Sequence, residues 1–206
     1  MIESYYWKQD LFKLLEKIED FETFFDDEIF IEKLCTLEKD IIIGFMIIRR
    51  LMESKTKLSN RVYEKKIKLV RFPIKDKARL DIIHVVDIEK NYYMDKPEEV
   101  MKKINFICNQ LLHHAVIFLL TNEKGKIESL IFTSDFEKNK WLYEIDKESI
   151  QVILEIVGND KVNQIKYNYN IETGQYDVKT LFEESNIDFD DINTKRKIER
   201  NINGKL

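Results

Sequence analysis

The sequence predicts an α+β protein, a helical N-terminal half followed by a mainly antiparallel sheet region. Three observations carry this. Apolar residues recur at helical spacing over residues 7–18, 41–52 and 100–111. Beyond residue 115 the apolar period changes from 3.6 to 2. Short polar segments containing Gly125 and Gly174 then separate alternating runs, as hairpin turns do. Helices before strands is the order of α+β rather than α/β chains.

The first expected helix covers residues 5–20, where Trp7, Leu11, Leu14, Leu15 and Ile18 share one side. Phe21, Phe24, Phe25 and Phe30 follow, interrupted by Asp26, Asp27 and Glu28. Those acids read either as a solvated turn over packed aromatics or as a cation site. Thr36 can cap a second helix, with Glu38 and Asp40 in its first turn. Ile41, Phe45, Ile48 and Met52 form its main stripe; Ile42, Ile43, Met46 and Ile47 make the rest apolar, so a central, buried helix is expected. Gly44 inside it predicts a close helix crossing.

Residues 54–64 read as a loop or helix end. One or two strands are expected within about 66–88, the first stopping at Pro73. Asp95 and Glu98 have capping-box spacing around Pro97 and predict a third helix, with Val100, Ile104, Ile107 and Leu111 as its stripe. A hairpin about Asn122-Glu123-Lys124-Gly125-Lys126, a strand over 141–145, and a helix that Gly158 should end come next. A second hairpin turns at Glu172-Thr173-Gly174. The division is therefore a mainly helical region 1–114, a sheet region 115–182 packed with it as one domain, and a charge-segregated tail 183–206.

Composition narrows the function classes. The chain has 206 residues, enough for one domain or two small ones, and a net charge of −4, which argues against a duplex-DNA binder. The longest apolar run, residues 41–48, is too short to cross a bilayer, which takes about 20 residues. Residues 1–10 are polar and acidic, so no secretory signal is expected. Cys35 and Cys108 stand alone, as in a reducing compartment, and a cytoplasmic protein is expected. Twenty-nine isoleucines against two alanines, with plentiful Lys and Asn, suggest an AT-rich genome of microbial or phage type. Walker A, GxGxxG, GxSxG and HExxH patterns are absent, and no cofactor is expected. His113 and His114 are adjacent, about 100° apart on a helix, and rarely would share an ion; His84 is remote, so no metal is expected.

One constellation carries chemistry. In Cys108-Asn109-Gln110-Leu111-Leu112-His113-His114, Asn109 and His113 are four apart and lie within about 40° of each other, opposite the Val100/Ile104/Ile107/Leu111 stripe. His114 is expected at the core edge and His113 facing solvent or a partner. This pattern resembles the HEPN family of helical domains of microbial RNases and toxins, whose late helix carries an Arg, often followed by Asn, Asp or His, then three residues and a His. Asn109 and His113 match; Cys108 stands where the family has its Arg. The resemblance spans one and a half turns of helix and the helical region before it. It implies metal-independent RNA cleavage, with His113 moving a proton and Asn109 orienting it. Cys108 cannot stabilise phosphate charge as an arginine does, so Arg49 or Arg50 would have to supply it. A degenerate, binding-only relative is the other implication.

Tyr167, Tyr169 and Tyr176 alternate with Lys166 and Lys179, placing aromatics on one face and cations on the other. That aromatic face either covers the core or, if exposed, forms a docking surface. The leading expectation is a small interaction or regulatory protein, linked to defence, without catalytic activity and with a protein partner or self-association. An RNase-like enzyme with RNA as partner is the alternative, and a self-assembling structural unit is the third.

Overall fold

The computed structural model describes residues 2–24, 28–75, 80 and 87–181. Asp26, Asp27, His84, most of the strand expected over 80–88, and the charged tail lie outside the described residues.

Helix α1 spans Ile2–Asp20 and α2 spans Phe30–Glu53. They cross at Gly44, where a Cβ would overlap the Leu14 side chain, so the glycine permits the close approach. The expected start of α2 is corrected: Thr36 lies inside the helix, which begins at Phe30 with no side-chain cap. The favourable packing of Leu37, Ile41, Phe45 and Ile48 on the core outweighs a missing cap. Nor is α2 buried on every side, because Ile31, Ile43 and Met46 are exposed. A short helix α3, Asn60–Glu64, leads into strand β1, Lys66–Pro73. One turn, α4 (Ile88–Asn91), begins at Ile88, where a strand was expected.

The third helix is also corrected. Residues Glu98–Lys103 form strand β2, and α5 covers only Ile104–Leu112. The segment Glu-Glu-Val-Met-Lys-Lys pairs antiparallel with β1, and Lys68–Glu99 and Arg71–Glu98 ion pairs cross between the strands. Local helix signals yielded to a neighbouring strand of complementary charge. Pro97 suits entry to an edge strand as well as a helix start.

Strands β3 (His114–Thr121), β4 (Ile127–Ser134) and β5 (Trp141–Asp146) follow, then helix α6, Lys147–Asn159. Asp146 caps α6 by accepting from the Ser149 N–H at 2.6 Å. Gly158 lies within α6 rather than ending it; a Cβ there would meet the Phe12 ring at 2.8 Å. The five strands form one antiparallel sheet in the order β2-β1-β5-β4-β3. β1 and β2 thus join the C-terminal strands in a single sheet.

The main core lies between this sheet and helices α1, α2, α5 and α6. It contains Leu11, Ile41, Phe45, Ile107, Leu130 and Ile153, all fully buried. A smaller cluster with Phe72, Tyr92, Ile131 and Leu142 covers the opposite sheet face. Among the described residues, the last two strands, β6 (Gln164–Asn170) and β7 (Gln175–Leu181), pair only with each other.

Candidate functional site

Two regions carry the expected site residues. The first is the end of α5. Ile104, Ile107, Cys108 and Leu111 face the core, so this short helix is held by packing rather than length. His113 is its C-cap, with backbone φ −113° and ψ 32°, and donates its N–H to the Asn109 carbonyl at 3.2 Å. Its ring is exposed and meets the edge of Phe136 at 6.4 Å between centroids. His114 opens β3 and is exposed, not packed at the core edge as expected. Its Nδ1 lies 2.7 Å from the Leu111 carbonyl, which can only accept, so this nitrogen carries the proton. The chain turns from helix to strand within one residue, which swings His114 out of the helical projection.

The electrostatics here are mixed. A hydrogen bond from Lys138 holds the exposed Asp135 carboxyl below the usual range, aided by the charges of Lys138 and both histidines. Glu38, on α2, lies near His114 and accepts from the Leu119 N–H; burial pushes its carboxyl up. The helix end itself presents carbonyl dipoles, which disfavour a phosphate. Asn109 is half-buried. Arg49 is half-buried beside Cys108, more than one turn before His113, and Arg50 is exposed; both pair with Glu53, at 3.7 and 3.3 Å. Burial pushes the Cys108 thiol up to about 12, so at neutral pH it carries no charge toward a substrate.

The second region is the β6–β7 hairpin. Its seven pairs run from Gln164–Leu181 to Asn170–Gln175. Asn170 closes the tip, its side-chain oxygen accepting from the N–H groups of Glu172 and Thr173. Directly opposed residues share a face. Ile165, Tyr167, Tyr169, Tyr176, Val178 and Thr180 therefore form one side, exposed at the tyrosines and buried at Thr180, and Lys166, Lys179, Asn168 and Asp177 the other. Tyr167 and Tyr169 are each 57% exposed and Tyr176 64%. The Tyr169 and Tyr176 rings meet edge to face at 5.1 Å. No side chain of this row belongs to either hydrophobic core. The lysines lie behind the tyrosines, and two acids, Glu172 and Asp177, balance them. Bases stacked on the rings would find no cationic track beside them.

The hairpin base is fastened by a polar cluster invisible in the sequence. Thr180 donates to the Leu58 carbonyl at 2.8 Å. Next to it, Asp160 accepts from the Ser59 N–H at 2.7 Å and the Ser59 hydroxyl at 2.5 Å. The Lys8 ammonium donates to the Lys57 and Asp160 carbonyls, and burial pushes its pKa down. These bonds join α1, α3 and the end of α6, and all are spent on anchoring. A separate groove of about 760 Å³ lies between α1 and α2, floored by Phe21, Ile29 and Leu37 under a rim of both charge signs.

Among the described residues, no three or more His, Cys, Asp or Glu gather as a metal site, and no helix is long and apolar enough to cross a membrane. Comparison with protein-family models, curated proteins and solved structures finds no match.

Proposed function

We propose that this chain is a protein-interaction or regulatory protein that engages a protein partner through the tyrosine face of the β6–β7 hairpin, without a catalytic step. One observation carries the reading: an exposed aromatic row that, among the described residues, contributes to neither hydrophobic core. Tyrosine supplies large, rigid, amphipathic contact area and is enriched where proteins meet. A two-stranded hairpin is marginal by itself, and a partner laid on its apolar face would stabilise it. A cytoplasmic setting agrees with two free thiols, Cys35 and Cys108. The link to defence and to a microbial or phage source rests on the HEPN resemblance and on composition.

The test compares the wild type with a Tyr167→Ser, Tyr169→Ser, Tyr176→Ser variant. A partner purified through the wild-type chain should bind the variant at least about tenfold more weakly, a loss of about 1.4 kcal/mol. Equal affinity would remove the hairpin from the interface. The RNase-like alternative is favoured by one observation, the exposure of His113. It requires cleavage of single-stranded RNA without added metal, abolished in His113→Ala. RNA left intact by the wild type leaves the binding reading alone.

A further inference from the structure

The five-stranded sheet has two edges, β2 and β3. At β3 the Leu119 N–H is taken by the Glu38 carboxylate at 3.3 Å, so a helix side chain occupies that edge. At β2, among the described residues, the strand pairs with β1 alone. Its sequence reverses charge along its length: Glu98, Glu99, Val100, Met101, Lys102, Lys103. Charges on an edge ordinarily blunt strand addition. Here the order repels a parallel copy, Glu on Glu and Lys on Lys, and matches an antiparallel one.

The ladder geometry selects a register. Directly opposed residues of antiparallel strands turn their hydrogen-bonding groups both toward or both away from each other, so a two-fold self-pairing must centre on a residue. Centred on Met101, Glu99 lies opposite Lys103 of the second copy, Met101 opposite Met101, and Lys103 opposite Glu99. All three side chains share one sheet face and are exposed, Met101 by 54%. Within one chain Glu99 already pairs with Lys68 and Lys103 with Glu64. Pairing would link these into an alternating series, Lys68–Glu99–Lys103–Glu64, on each side of the axis. It would also relieve Lys66 and Lys103, like charges that stand opposite each other between β1 and β2. Centring on Val100 instead would place the pairing charges, Glu98 and Lys102, on the other sheet face, where Val100 packs against the main core and Lys102 lies over the Phe106 ring.

We infer that two copies of this chain associate through β2, antiparallel about a two-fold axis at Met101, joining their sheets into one of ten strands. This surface is separate from the hairpin and does not rest on its role. A five-residue ladder is small beside the roughly 1,200–2,000 Å² of stable interfaces, so the dimer should dissociate on dilution and weaken with salt.

Sedimentation equilibrium of the full chain tests this, with circular dichroism confirming that each variant is folded. Glu99→Lys and Lys103→Glu should each weaken self-association by about tenfold or more, because each places like charges opposite one another twice. Mixed together, the two variants should form a heterodimer about as tight as the wild-type dimer. Met101→Glu, which leaves both intramolecular ion pairs intact, should also abolish pairing. The hairpin triple variant should dimerise as the wild type does. A wild-type chain that stays monomeric at the highest attainable concentration, a dimer indifferent to the charge reversals, or a mixture that fails to restore association would each overturn the inference.

Discussion

At the residue scale, burial decides which groups can react. Cys108 is fully buried in the main core and its thiol pKa is pushed up to about 12, whereas Cys35 is exposed on α2. A maleimide should therefore label Cys35 in the native protein and reach Cys108 only on unfolding. The expected rate ratio is at least about 100, read by mass spectrometry over time. Comparable rates would show that the α2–α5 contact opens readily.

Glu38 gives a pH dependence with a definite sign. Burial raises its carboxyl above the usual 4.5, against the Leu119 hydrogen bond and the His114 charge. The folded state then binds the proton more tightly than the unfolded chain. This contribution to stability is present at low pH and lost as pH rises through the raised value. Glu38→Gln keeps an acceptor for the Leu119 N–H and removes the titration. The melting temperature of the variant should gain on the wild type as pH rises from about 4 to about 7. A constant difference across that range would mean the carboxyl is not desolvated.

At the element scale, turns and helix starts separate what is local from what is not. The β3–β4 turn is local: Asn122 accepts from the N–H groups of Lys124 and Lys126, and Gly125 has φ +69°. Gly125 also meets the body of the protein, where its carbonyl accepts from the Thr23 N–H at 3.0 Å and a Cβ would overlap the Thr23 carbonyl. Gly125→Ala should cost about 2 kcal/mol or more, a fall of roughly 4–8 °C in melting temperature. A change near zero would mean this turn rearranges freely. Both hairpins, with their turn residues, were legible because turn chemistry and a period of two are properties of neighbouring residues. The start of α5 was not. Asp95, Pro97 and Glu98 satisfy helix rules locally, and only the presence of β1, thirty residues earlier, makes them the approach to a strand.

At the scale of the whole molecule, the hairpin tests whether function and stability are separate. Its tyrosines touch neither core, so the triple serine variant should keep global stability within about 0.5 kcal/mol by denaturant unfolding. A larger loss would show that this face packs within the protein and is not free for a partner. Of the candidate site, the alternation of Tyr167, Tyr169 and Tyr176 was readable, but whether that face points inward was not. Likewise the spacing of Asn109 and His113 was readable, while the helix ending at Leu112 was not.

By itself the sequence determined the core stripes of α1 and α2, the hairpins, their turns and the α+β order, because these depend on which residues lie within a few positions of each other. Tertiary structure decided the rest. It made β2 a strand, put Asp160 onto Ser59 across a hundred positions, and left the tyrosine face outside both cores. Those outcomes turn on long-range pairing and on which surfaces find cover, and neither is encoded in local periodicity.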